Sequence, residues 1–186
     1  MCFSDFPLLF AIFVAMLEKN EIIQSALHNL KIEELNPMQE ASLEQATGRK
    51  DVILLSPTGS GKTLAYLLPL LLTLKPGNDN VQVLILVPSR ELALQIDSVF
   101  KAMGTAWKTC CCYGGHPIAE EKKSISGNHP AIIIGTPGRI TDHLSKGNFN
   151  PETIETLIID EFDKSLEFGF HDEMAEIITQ LPGLKK

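Results

Sequence analysis

Leu84-Ile85-Leu86-Val87 and Ile132-Ile133-Ile134 are near-continuous apolar runs, and they constrain the fold more than any other feature of this chain. A strand with one wet face alternates apolar and polar side chains, so runs without alternation predict strands covered on both faces. From Asp51 onward such runs alternate with helical stretches, and strands are predicted over residues 52–55, 81–87, 106–113, 131–135 and 156–160. This alternation implies an α/β fold, a parallel sheet flanked by helices, with ligands at the carboxyl ends of the strands. Ahead of the first strand, Glu21–Leu30 and Pro37–Ala46 read as helices, with Asn36 as N-cap and Pro37 at the first helical position.

Between the first expected strand and the helical pattern Leu64-Ala65-Tyr66-Leu67-Leu68 lies Ser56-Pro57-Thr58-Gly59-Ser60-Gly61-Lys62-Thr63. A small-residue loop between strand and helix, closed by Lys-Thr, is an arrangement that holds a nucleotide triphosphate. Gly59 and Gly61 let the backbone wrap until successive N–H groups point at phosphate oxygens. Lys62 adds a point charge near the outer phosphates, and the Thr63 hydroxyl is placed to ligate Mg²⁺. A second cluster comes after Thr156-Leu157-Ile158-Ile159, which reads as a buried strand running into Asp160-Glu161-Phe162-Asp163. Asp160 is expected to hold the metal and Glu161 to orient or deprotonate an attacking water. Acidic residues also favour helix N-termini, so the same group would cap a helix starting near Lys164.

A length of 186 residues suffices for one domain with a full core, and the net charge of −7 argues against a surface that coats itself in nucleic acid. Any such site must then be a local patch. Cys110-Cys111-Cys112 would point to alternate faces of a strand, suiting neither a disulfide framework nor a metal site and matching a reducing cytoplasm. Residues 6–17 lack charged or polar side chains but are too few to span a bilayer, and no basic residue precedes them. They read as a core or partner-facing helix, with an irregular start as the alternative, within an apolar N-terminal segment, residues 1–20, to which no role is assigned, ahead of a domain over 21–186.

With these residues in view, the chain resembles the DEAD-box RNA helicases. Ser56–Thr63 resembles the family's first motif, with Ser56 where Ala is usual, and Asp160-Glu161-Phe162-Asp163 resembles the box, with Phe162 in place of Ala. Pro88-Ser89-Arg90-Glu91-Leu92-Ala93, Gly114-Gly115 and Thr136-Pro137-Gly138-Arg139 resemble further motifs in the family's order. Asn36-Pro37-Met38-Gln39 resembles the end of its glutamine motif, and Phe168-Gly169-Phe170 resembles the family's segment just after the box. The resemblance implies a P-loop NTPase fold of RecA-like type, the first of two such domains, using ATP and Mg²⁺ to remodel RNA. Phe13 is the nearest candidate for the family's adenine-stacking aromatic.

The chemistry of these positions adds detail. The Gln39 amide donates and accepts at once, which complements an adenine edge. Pro88, Ser89 and Arg90, the bare backbone of Gly114 and Gly115, and the helix start at Thr136, Pro137, Gly138 and Arg139 are expected to grip RNA sugar and phosphate without reading sequence. Arg90 and Arg139 have a structural alternative, pairing with Glu91, Glu161 or Asp163 to hold the loops. Phe162 is expected to alter packing beside the carboxylates. The sequence ends at Lys186, ahead of where the family carries its Ser-Ala-Thr motif and second RecA-like domain. The expectation is a helicase half that binds ATP or ADP weakly and unwinds nothing alone. A DNA-directed translocase and a non-catalytic nucleotide-binding adaptor are the alternative readings.

Overall fold

The computed structural model describes residues 21–46, 51–57 and 59–185. The expectations for residues 1–20, including Phe13 and the apolar run 6–17, lie outside the described residues. The chain divides into two compact units, the first within Met1–Thr73 and Ala102–Thr105, the second comprising Leu74–Lys101 and Ala106–Lys186.

The first unit is helical. α1 (Glu21–Leu30) and α2 (Pro37–Ala46) have the limits expected from sequence, and α3 (Lys62–Thr73) continues from the glycine loop. Ile23, Ala26 and Leu27 form the buried stripe of α1, the i, i+3, i+4 spacing of an amphipathic helix. α3 is apolar almost all round and buries Ala65, Leu67, Leu68, Leu70 and Leu71. The Ser42 hydroxyl of α2 donates to the Ala65 carbonyl of α3, satisfying a buried polar group inside this packing. Residues 52–55 are not a strand, contrary to the sequence expectation. Ile53 is 86% and Leu55 89% exposed, so the run is neither paired nor covered. Apolar, β-branched composition favours extended backbone, but a strand exists only when a neighbouring strand takes up its N–H and C=O groups.

The second unit holds the sheet. Its strands are β1 (Val83–Leu86), β2 (Thr109–Cys112), β3 (Ile132–Gly135) and β4 (Thr156–Ile159), all parallel in the order β2-β3-β1-β4. Each lies inside its predicted range. β1 and β3 are buried at every position, as their unbroken apolar runs require. β4, read from sequence as buried, is only partly so because it is an edge strand of this sheet. The intervening helices are α4 (Arg90–Ala102), α5 (Ile118–Asn128), α6 (Pro137–Ser145), α7 (Phe162–Glu167) and α8 (His171–Thr179). One core packs Leu84, Leu86, Cys110, Cys112 and Ile133 with Ile125 of α5, Ile140 and Leu144 of α6, and Met174 and Ile177 of α8. Cys111 points the other way, its thiol toward the Ala93 carbonyl of α4, so the cysteines do alternate between faces. Gly135 ends β3 because nothing larger fits: a Cβ there would stand 2.5 Å from the Cys112 carbonyl oxygen and 2.6 Å from Ile140 Cδ1.

Candidate functional site

In the first unit the glycine loop is tied down by a reciprocal cap. Asn36 Oδ1 accepts from the Gln39 N–H and Gln39 Oε1 accepts from the Asn36 N–H, each at 3.0 Å, a capping box at the start of α2. The amide nitrogens of the same two side chains reach the loop, Asn36 Nδ2 donating to the Ser60 carbonyl at 3.0 Å and Gln39 Nε2 to the Gly61 carbonyl at 3.3 Å. Gln39 is therefore buried, both ends of its amide engaged. Gly59 and Gly61 have φ of +82° and +86°, a region open to glycine at little cost. At Gly61 the constraint is double, since a Cβ would lie 2.5 Å from Gln39 Nε2. The Ser56 hydroxyl donates to the Ser60 hydroxyl at 2.6 Å, and Lys62 Nζ donates to the Ser56 carbonyl at 2.8 Å, closing the loop on itself. Thr63 is the second residue of α3. Thr58 lies outside the described residues.

In the second unit the four motifs expected to bind RNA or metal each follow a strand at the carboxyl edge of the sheet, while Phe168-Gly169-Phe170 links α7 to α8. After β1, Pro88 is buried and Ser89 caps α4, its hydroxyl accepting from the Leu92 N–H at 3.2 Å. Exposed Arg90 stacks over the Tyr113 ring with its guanidinium carbon 5.0 Å from the centroid. After β2, Gly114 and Gly115 are exposed, and Gly115 has φ of +98°. After β3, Thr136 is the N-cap of α6, with Pro137 and Gly138 in its first turn.

After β4, the Asp160 carboxylate accepts from the Glu161 N–H at 2.9 Å. Glu161 stands in the left-handed region at φ 49°, ψ 50°, a conformation that costs a non-glycine residue roughly 1–2 kcal/mol. It caps α7, and its carboxylate receives Lys164 Nζ at 2.9 Å. That contact holds the exposed Lys164 ammonium above its ordinary pKa. Phe162, expected to repack the surroundings of the acids, is instead 51% exposed. α7 begins at Phe162 itself and turns Ser165 inward.

None of the motifs points to the network beneath these loops. Glu121 of α5 is 3% exposed and its carboxylate is fully engaged. Oε1 accepts from the Tyr113 N–H at 2.9 Å and meets His116 Nε2 at 2.8 Å. Oε2 meets His143 Nε2 at 2.6 Å and Arg139 Nε at 3.6 Å. Asn148 Nδ2 donates to His143 Nδ1 at 3.0 Å, which leaves Nε2 to carry the proton toward Glu121. Arg139, 10% exposed, also donates from Nη2 to the His116 carbonyl at 2.7 Å. Its ion-pair partner is thus Glu121 and not one of the carboxylates considered from sequence. A usable signal exists: Glu121 shares the buried face of α5 with Ile125, and His143 that of α6 with Ile140 and Leu144. Polar residues in apolar phase mark buried networks. Cys112, Glu121 and His143 present atoms within 4.8 Å of one another, so the metal-capable grouping of this unit includes one of the cysteines set aside from sequence.

A parallel α/β fold whose strands end in these loops, together with a glycine loop opening a helix, defines the P-loop nucleotide-binding class in its RecA-like form. The sequence model described as DEAD/DEAH box helicase matches residues 36–186, and this chain belongs to that family. It is 35% identical over 165 residues to the ATP-dependent RNA helicase CshA of Listeria monocytogenes, covering 88% of this chain and 32% of that one. It is 38% identical over 149 residues to the DEAD-box ATP-dependent RNA helicase RhpA of Helicobacter pylori, covering 79% and 30%. The crystal structure of a hypothetical ATP-dependent RNA helicase from Sulfolobus tokodaii superposes with a TM-score of 0.80 at 31% identity, covering 89% of this chain and 48% of the other. The chain spans about a third of the length of the curated relatives it matches.

Proposed function

We propose that this chain is the ATP-binding RecA-like domain of an ATP-dependent RNA helicase, which works with a second such domain to couple ATP hydrolysis to RNA remodelling. The observation that carries the reading is the bond from Gln39 to the Gly61 carbonyl, which joins the glutamine motif to the phosphate loop inside one unit. Ser56, Gly59, Ser60, Gly61 and Lys62, with Thr58 in the same loop, are assigned to the phosphates. Gln39 is assigned to the adenine edge, for which its amide must exchange one of its present partners. The hydroxyl of Thr63 and the carboxylate of Asp160 are hard oxygen donors of the kind Mg²⁺ takes. Magnesium, when bound, neutralises phosphate charge, and Glu161 is the carboxylate assigned to orient the attacking water.

Lys62 releases the Ser56 carbonyl to meet phosphate, and its own charge replaces that neutral contact with an ionic one. RNA is gripped at the carboxyl edge of the sheet, by backbone N–H groups at Gly114, Gly115 and Gly138 and by Thr136, Ser89 and Arg90, while buried Pro137, which has no N–H, sets the start of α6. Pro88 shapes its loop from a buried position. Free cysteines at 110, 111 and 112 suit a reducing cytoplasm. Among the described residues no helix is long and apolar enough to cross a membrane.

Two measurements test this. Lys62→Ala should weaken binding of a fluorescent ADP by about 1.5–3 kcal/mol, the range for a charged hydrogen bond, with the melting temperature unchanged. In a protein that joins this chain to a second such domain, ATP hydrolysis should be stimulated by RNA and not by DNA of the same sequence, because only RNA carries the 2′-hydroxyl. Equal stimulation by both points to a DNA-directed translocase, and no hydrolysis to an adaptor.

A further inference from the structure

We propose that Glu121 is a positioning residue that locks the Gly114-Gly115 loop and the first turn of α6 into one preset surface for the RNA backbone. This rests on the RNA-binding reading of those two segments and names what organises them.

The geometry is that of a clamp with a loop side and a helix side. One carboxylate oxygen takes the Tyr113 N–H and the His116 ring, which bracket the two glycines in sequence. The other takes Arg139 and His143, both on α6. Arg139 then closes the ring by donating to the His116 carbonyl. A third loop joins through the stacking of Arg90 on Tyr113, and Tyr113 in turn meets the His116 ring edge-on at 4.9 Å.

A buried carboxylate is a poor way to gain stability, since its desolvation offsets most of the attraction it gains. What it does supply is uniqueness: each donor has one place to go, and a loop bearing two exposed glycines otherwise has many. Arg139 is turned inward by this arrangement, so the structure assigns it to holding the surface, in place of the direct phosphate charge expected from sequence. The groups this leaves for RNA on the two segments are backbone N–H groups and the Thr136 side chain, and such donors bind phosphate well only if their spacing is fixed beforehand.

The test measures binding of a fluorescent uridine oligonucleotide at low salt, binding of fluorescent ADP, and thermal melting, on each of three variants. Glu121→Ala should weaken RNA binding about tenfold, the equivalent of one charged hydrogen bond, with ADP affinity changed less than about twofold. Glu121→Gln keeps an acceptor for Tyr113 but turns an amide N–H toward His143 Nε2 and Arg139, so it should recover only part of the loss, to within about fivefold of the original. His116→Ala, which removes a partly exposed contact and leaves the core intact, should lose about threefold. This variant keeps the test open should Glu121→Ala not fold. Unchanged RNA affinity in a folded Glu121→Ala or in His116→Ala overturns the proposal, as does a Glu121→Gln protein no better than the alanine variant. So does stoichiometric zinc in the purified protein, which would make Glu121 a ligand beside Cys112 and His143. An original protein that binds ADP but no RNA defeats the underlying RNA reading instead, and is recognised before any variant is compared.

Discussion

In the first unit, the glycine loop is held at Ser60 and Gly61 by the neutral amides of Asn36 and Gln39, and at Ser56 by the Lys62 ammonium, which there meets only a neutral carbonyl. In the second, the Gly114-Gly115 loop and the start of α6 are held by a buried carboxylate that takes a backbone N–H, two imidazoles and a guanidinium. A neutral hydrogen bond contributes about 0.5–1.5 kcal/mol and a charged one about 1.5–3, so the two grips differ in what dislodges them. The first set can be displaced one bond at a time. Nothing short of leaving a charge buried undoes the second. The glycine loop is accordingly held by bonds that exchange readily, and the sheet-edge loops by bonds that do not.

Two glycines probe this contrast most severely. Gly135→Ala forces a methyl group against the Cys112 carbonyl and the Ile140 side chain, where the backbone cannot give. It should destabilise the protein by about 1–3 kcal/mol, read as a lower denaturant midpoint. Gly61→Ala meets only the end of the Gln39 side chain but is trapped at φ +86°. The strain, about 1–3 kcal/mol, should appear mainly as lost ADP affinity with a much smaller loss of stability. If both variants lose stability equally, the glycine loop is as rigid as the sheet and the contrast fails.

A smaller effect attends Glu155. Hydrogen bonds from Lys75 and then Lys185 hold its carboxyl below the ordinary carboxylate range. A lowered folded value means the contribution is present above the unfolded value, near 4.3, and is lost as pH falls through the folded one. Because the lysines are exposed, Glu155→Gln should cost under about 1 kcal/mol at pH 7, shrink in high salt and vanish in acid, as measured by urea melts. Smallest of all, Ile53→Ser should change stability by less than about 0.5 kcal/mol, because that side chain is 86% exposed. A loss of several kcal/mol would restore the buried strand expected over residues 52–55.

That missing strand shows where sequence reading stops. α2 is legible to the residue because a cap is a local event: Asn36, Pro37 and Gln39 lie within one turn. β1 and β3 are legible because unbroken apolar runs have few other fates. Pairing is a property of two segments, and residues 52–55 carry the right composition without naming a partner. Glu121 escapes notice for a related reason. Its meaning depends on Tyr113, His116, Arg139 and His143, which only the fold brings together. Phe162 differs from expectation because its environment depends on where α7 starts, one residue after the left-handed turn at Glu161.

The alternation of the cysteines along β2 has a practical corollary. Burial pushes the Cys111 thiol up to about 12, and Cys112 is raised as well, chiefly by its hydrogen bond with Cys110 and then by burial. At neutral pH the Cys111 sulfur stays protonated and inert toward alkylating reagents while β2 remains in the sheet, and it becomes nucleophilic once the strand parts. The rate at which it is alkylated thus counts how often the sheet opens, a native clock that requires no engineered reporter.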